Sequence, residues 1–174
     1  MAALPNPVLV SLADYLNSSY SPDQEYVDGV LVERNVGSLP HGLLQKLLLL
    51  HLARFEQAMK FLAIPECRTK VQASRYRIPD VLLAPEPVNR TARFYSGVPL
   101  AVIEILSPDD RMKVTLERFR DYETLGVQHI IQMDPEDAVT HRFEEGNLIR
   151  GELVELAFAA GAIPFDTVEL YRSL

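Results

Sequence analysis

Cysteine is nearly absent from this sequence of 174 residues: Cys67 stands alone, which excludes an internal disulfide. A reducing compartment follows, and no base-bearing motif around Cys67 marks it as a nucleophile. Long apolar runs are also missing. The most apolar stretch, Leu43–Leu52, is too short to span a bilayer and carries Gln45, Lys46 and His51. The opening Met1–Pro7 has no basic segment followed by an apolar one, so no signal peptide is expected and the expected location is the cytoplasm, with no membrane partner. Internal repeats and low-complexity linkers are lacking too, and at this length one domain spanning residues 1–174 is expected.

Positive charge is short overall, with a net −7, which argues mildly against a nucleic-acid partner. The distribution softens that reading. Residues 68–120 hold 10 of the 17 basic residues and 6 of the 24 acidic ones, so this window is +4 while the remainder is −11. A local basic surface is what phosphate binding needs.

What is present centres on Leu100–Leu106, an apolar run interrupted by Glu104. Continuous Val/Ile/Leu runs of this length suit a strand buried on both faces. A carboxylate there must be held by a metal ion, matched by a fixed cation, or kept neutral by a raised pKa. Tyr76–Ala84 poses the same problem, because Asp80 lies within another apolar strand pattern. Neighbouring strands lie about 5 Å apart, so the two acids could together form a site for a hard cation. A structural alternative pairs Asp80 with Arg77 and Glu104 with an arginine such as Arg118.

Around these strands the pattern is a mixed α/β or α+β domain. Val8–Asn17 reads as a short helix capped by Ser11. Gln24–Val27 and Val30–Arg34 read as a hairpin around Asp28-Gly29, with Glu25 on its first arm. One long helix is expected from about Pro40 to Leu62, opened by His41, with Leu44, Leu47, Leu48, His51, Phe55 and Ala58 on one face. Leu49 and Leu52 spill onto other faces, which suggests a subunit contact and a homodimer. Cys67–Gln72, Leu100–Leu106 and Gln128–Met133 read as strands, and Glu86–Val98 as loop. A helix over Asp109–Leu125 turns Met112, Leu116, Phe119 and Tyr122 to the core and ends at Gly126. Arg111 and Arg118 share one flank of it, and Lys113 the other. Ala138–Phe143 and Leu148–Glu155 form a second hairpin.

Arg77-Ile78-Pro79-Asp80, Glu104-Ile105-Leu106-Ser107-Pro108, Gly126-Val127 and Asp134-Pro135, in this order, resemble the Uma-two family of restriction-endonuclease-like proteins within the PD-(D/E)XK nuclease superfamily. Glu25-Tyr26-Val27-Asp28-Gly29 and His41 extend the resemblance upstream, so that it covers roughly Ser11 to Phe143. It implies a central mixed sheet flanked by helices. It also implies a metal-dependent endonuclease acting on DNA, with Asp80, Glu104 and the carbonyl of Ile105 binding Mg²⁺ or Mn²⁺. Glu25, His41 and Arg118 would complete the catalytic set, and Arg77, Arg111 and Lys113 would contact the nucleic acid. Leu106 replaces the lysine of the superfamily, and Arg118 and Val114 stand where the family commonly carries a lysine and an acid. The alternative is an impaired nuclease fold that binds nucleic acid or a protein without cutting.

Overall fold

The computed structural model describes residues 8–35 and 37–174, so the expectation on Met1–Pro7 lies outside the described residues. Ser11 caps α1 (Leu12–Asn17), its hydroxyl accepting the Asp14 N–H. β1 (Gln24–Val27) and β2 (Val30–Glu33) form the expected hairpin. Asp28 and Gly29 both take positive φ, 51° and 95°, as a type I′ turn demands.

The long helix is not continuous. α2 (Leu39–Ala53) and the single turn α3 (Glu56–Met59) are followed by strand β3 (Phe61–Pro65). Lys60 takes the left-handed conformation at φ 54° and breaks the helix. Phe61-Leu62-Ala63-Ile64 then completes the sheet by pairing with a strand more than fifteen residues downstream, a demand that helical periodicity does not register. Leu52, placed off the core face by the sequence reading, is fully buried with Leu44 and Leu48.

β4 (Thr69–Gln72) and β5 (Arg75–Arg77) come next, then β6 (Val81–Pro85) and β7 (Ala101–Ile105). The expected single strand Tyr76–Ala84 is thus two strands in different sheets, with Asp80 at the joint. Helix α4 (Met112–Leu125) crosses to β8 (His129–Asp134) and stops at Gly126, φ 95°, whose N–H closes the last turn on Glu123 and Tyr122. Met112, expected in the core, is 52% exposed at the helix start. β9 (Val139–Glu144) and β10 (Asn147–Arg150) form the second hairpin. β11 (Glu155–Phe158), β12 (Gly161–Pro164) and α5 (Thr167–Arg172) complete the chain.

The central sheet is six-stranded, in the order β10-β9-β8-β7-β6-β3, with β7 and β8 parallel and the other pairs antiparallel. A four-stranded sheet, β2-β1-β5-β4, lies beside it. On one face of the central sheet, Val81, Leu83, Ala101, Ile103, Ile105 and Ile131 pack on Leu44, Leu48 and Leu52 of α2. On the other, Leu82, Val102, Ile130 and Phe143 pack on Phe119 and Tyr122 of α4. The fold is therefore a mixed α+β sheet flanked by helices, as the sequence led us to expect.

Candidate active site

Strand register brings the two embedded acids together. Val81 pairs with Ile103, and one step further Asp80 stands opposite Glu104. By strand alternation both belong to the α4 face, with Leu82 and Val102. Both are buried, 3% and 4% exposed. The Ile105 N–H donates to Asp80 Oδ2 at 2.7 Å, tying the two strand ends together.

Each acid is held by particular side chains. Arg34 Nη2 reaches Asp80 Oδ1 at 2.6 Å, and His41 Nε2 lies 3.3 Å from Oδ2. His41 is set by its own helix start, where its N–H meets the Ser38 hydroxyl that caps α2. Glu104 Oε1 accepts the Tyr122 hydroxyl at 2.7 Å, and Arg118 Nη1 donates to Oε2 at 3.2 Å. Arg118 and Tyr122 lie one turn apart on α4, so one helix face delivers both.

Arg118 also links this acid to the hairpin. Its Nε is 3.1 Å from Glu25 Oε1, although the N–H is not aimed at that oxygen, so the contact is one of charge rather than a hydrogen bond. Glu25 is fully buried, accepting from Arg77 Nη1 at 2.9 Å and from the Ile78 N–H at 3.1 Å. Arg77 Nε in turn donates to Asp121 Oδ2 at 2.7 Å, and Gln72 and Arg75 meet the other oxygen of Asp121. Strand alternation explains this placement. Tyr26 and Tyr76 pack with Tyr15, so Glu25, Arg75 and Arg77 turn the other way, toward α4.

These surroundings push the acids apart in protonation. Burial drives the Glu104 carboxyl up to about 7; Arg118 opposes this, and the negative charges of Asp80 and Glu25 add to it. Asp80 stays below the usual carboxylate range despite burial, because of the His41 hydrogen bond, the Arg34 charge and the Ile105 N–H. Glu25 is likewise held low, Arg118 and Arg77 outweighing its burial. His41 is raised by Asp80 against its own desolvation. Neighbouring acids with opposite shifts are the usual arrangement of a site that needs one ionised and one protonatable group.

Of the three explanations for a carboxylate at Glu104, the structure supplies a cationic partner and a raised pKa at once. The third, a metal, fits the donor chemistry. Asp80 and Glu104 offer hard oxygens, and Mg²⁺ commonly takes one or two protein carboxylates with water and phosphate completing its shell. Asp80 Oδ1 and both Glu104 oxygens, engaged once each, keep a lone pair, while Asp80 Oδ2 is met by both His41 and the Ile105 N–H. The described residues contain no ready-made cluster of three or more His, Cys, Asp or Glu around one point.

The residues singled out from sequence separate into two groups. Glu25, His41, Asp80, Glu104 and Arg118 come together in one network, with Ile105 bonded to Asp80 through its N–H. Arg77 is contrary to expectation: it is buried at 1% exposed and ion-paired with Glu25 and Asp121 rather than presented at the surface. Nor does it pair with Asp80, since strand β5 turns it toward the hairpin and α4 while Arg34 takes Asp80. Arg111 and Lys113 are exposed where α4 begins. Arg34, Asp121 and Gln132 were not anticipated, and Tyr122 was read only as core. The one available signal was Arg118, Asp121 and Tyr122 crowding three polar groups onto one turn of an otherwise core-facing helix.

The chain matches the protein family described as "Uma2: Putative restriction endonuclease" over residues 12–164. It is also similar to a solved structure from Anabaena variabilis, titled as a putative nuclease belonging to DUF820. That likeness has a TM-score of 0.79 at 17% identity, covering 94% of this chain and 98% of the other, and it supports the nuclease-like fold. No curated protein matches. With all but the first 11 and last 10 residues inside the family match, this chain belongs to the Uma2 restriction-endonuclease family.

Proposed function

We propose that this chain is a metal-dependent endonuclease that hydrolyses DNA phosphodiester bonds, with Asp80 and Glu104 holding Mg²⁺ or Mn²⁺. The observation that carries the reading is the pair itself: two buried acids on adjoining strands, one ionised and one poised near neutrality. When bound, a divalent ion there would lower the pKa of a water and neutralise charge building on phosphorus. The chain's own groups would do the rest. Asp80 is held by Arg34, His41 and the Ile105 N–H. Arg118, permanently protonated, is no general base; its guanidinium would stabilise a phosphate arriving beside Glu104. Glu25 is a positioning residue, holding Arg118 in reach of that phosphate. Exposed Arg111 and Lys113 at the start of α4 would meet the DNA backbone.

Plasmid incubated with protein and Mn²⁺ should be nicked or linearised, and Asp80→Ala and Glu104→Ala should abolish this. Equal cleavage by wild type and both variants would end the proposal.

A second reading is favoured by one observation: all four carboxylate oxygens of Asp80 and Glu104 already have protein partners. A site closed by its own arginines would bind DNA or a protein without cutting. DNA binding by fluorescence anisotropy, unchanged by Mn²⁺ and unaccompanied by cleavage, would favour it. A homodimer through the outer face of α2, where Leu39 and Leu50 are 77% and 59% exposed, belongs to the proposal and is tested by sedimentation. Among the described residues no helix is long and apolar enough to cross a membrane, and the cytoplasm remains the proposed location.

A further inference from the structure

The acids do not end the polar row. Glu104 pairs in register with Gln132 on β8, and Gln132 pairs with His141 on β9. Gln132 follows Ile130 by two residues and His141 precedes Phe143 by two, so both share the α4 face with Glu104. Asp80, Glu104, Gln132 and His141 therefore form one line across four strands, next to the apolar line Leu82, Val102, Ile130, Phe143. Strand spacing puts Gln132 about 5 Å and His141 about 10 Å along the sheet from Glu104.

Two atoms of this line have no partner. Gln132 is 3% exposed, and its Nε2 is buried without a hydrogen-bond acceptor; His141 Nδ1 is buried and equally unmatched. A buried amide donor left unpaired is disfavoured and uncommon, and a leucine would fill the same volume without that penalty. The row crosses the parallel strands β7 and β8 near their C-terminal ends, the side on which open α/β sheets bind ligands.

We propose that Gln132 and His141 are a phosphate-binding extension of the acid site, Gln132 donating to a non-bridging oxygen of the phosphate beside Glu104 and His141 to the flanking phosphate of the same strand. The proposal deepens the nuclease reading and rests on it. Neutral donors suit this place. Next to two acids a further carboxylate would repel phosphate, while another arginine would form an ion pair with Glu104 as Arg118 does. Burial and the charge of Arg150 hold the His141 imidazole below its ordinary pKa.

The test uses the full-length protein, ¹⁵N-labelled, titrated in Ca²⁺ with a 5′-phosphorylated thymidine dinucleotide, which carries two successive phosphates. The Gln132 side-chain amide and the His141 ring nitrogens should shift together. Gln132→Leu and His141→Phe should each weaken the nucleotide about tenfold, the loss expected for one hydrogen bond to a charged group. Gln132→Leu should melt no lower than wild type. Unmoved signals in a protein that cuts plasmid overturn this inference alone; unmoved signals with no cleavage overturn it together with the nuclease reading. Shifted signals without cleavage uphold it and remove catalysis. A mutual Gln132–His141 hydrogen bond persisting in the nucleotide titration, or a marked loss of stability in Gln132→Leu, shows a structural pair and overturns it.

Discussion

The two faces of the central sheet are built from the same strands and do opposite things. Toward α2, Val81 and Leu83 of β6, Ala101, Ile103 and Ile105 of β7, and Ile131 and Met133 of β8 present an apolar surface over which Leu44, Leu48 and Leu52 close. Toward α4, the same strands alternate into Leu82, Val102 and Ile130 at one end and Asp80, Glu104 and Gln132 at the other. The apolar face lowers the free energy of the fold by burial. On the mixed face Arg34, just after β2, pairs with Asp80 and Arg118 of α4 with Glu104, while Arg77 of β5 pairs with neighbouring Glu25 and Asp121; buried ion networks of this kind contribute little net stability. One face holds the molecule together, and the other sustains an arrangement that an apolar core would not need.

Breaking the mixed face at its most buried cation should have the largest effect. Arg77→Leu removes the buried cation shared by Glu25 and Asp121, leaving Glu25 with Arg118 and Asp121 with Arg75 and Gln72, and should destabilise by about 3–5 kcal/mol in chemical denaturation. On the apolar face, Leu48→Ala should lose about 2–5 kcal/mol while the remaining folded protein keeps its activity per molecule. Asp80→Asn should reverse that pattern, cutting Mn²⁺-dependent cleavage by about a hundredfold while the protein stays folded. A large stability loss there, with activity intact, would erase the contrast between the faces.

Glu104 gives the contrast a pH signature. Its folded pKa, about 7, lies above the ordinary carboxylate value, so the native state holds its proton longer than the unfolded chain does. The resulting stabilisation is fully present below about pH 4 and is lost as pH rises toward 7. In chelator, Glu104→Gln should remove this part of the decline and melt above wild type at pH 8, while abolishing cleavage. The smallest effect belongs to the surface: Arg111→Ala and Lys113→Ala should each weaken DNA binding a few-fold and reduce the salt slope by about 1.

Several elements were readable from neighbours in the chain. Asp28-Gly29 announces its turn, Ser11 its helix start and Gly126 a helix end, because each answers a local backbone requirement. Glu104 and Asp80 were conspicuous as acids in apolar runs. Phe61 and Leu62, expected as the end of the long helix, instead open strand β3, which only pairing with β6 defines. Arg77 was misassigned for a related reason: a basic residue next to Pro79-Asp80 looks like a ligand contact, yet strand alternation turns it toward Glu25 and Asp121. Arg34 went unnoticed because its partner lies 46 residues away.

The chain alone determined that acids would be carried into a dry interior, since hydrophobic patterning and residue identity are linear information. Which cation meets which acid, which acid stays ionised, and whether Gln132 and His141 stand in line with them depended on strand register. A shift of one residue would turn each side chain to the opposite face, so those choices belong to the tertiary structure.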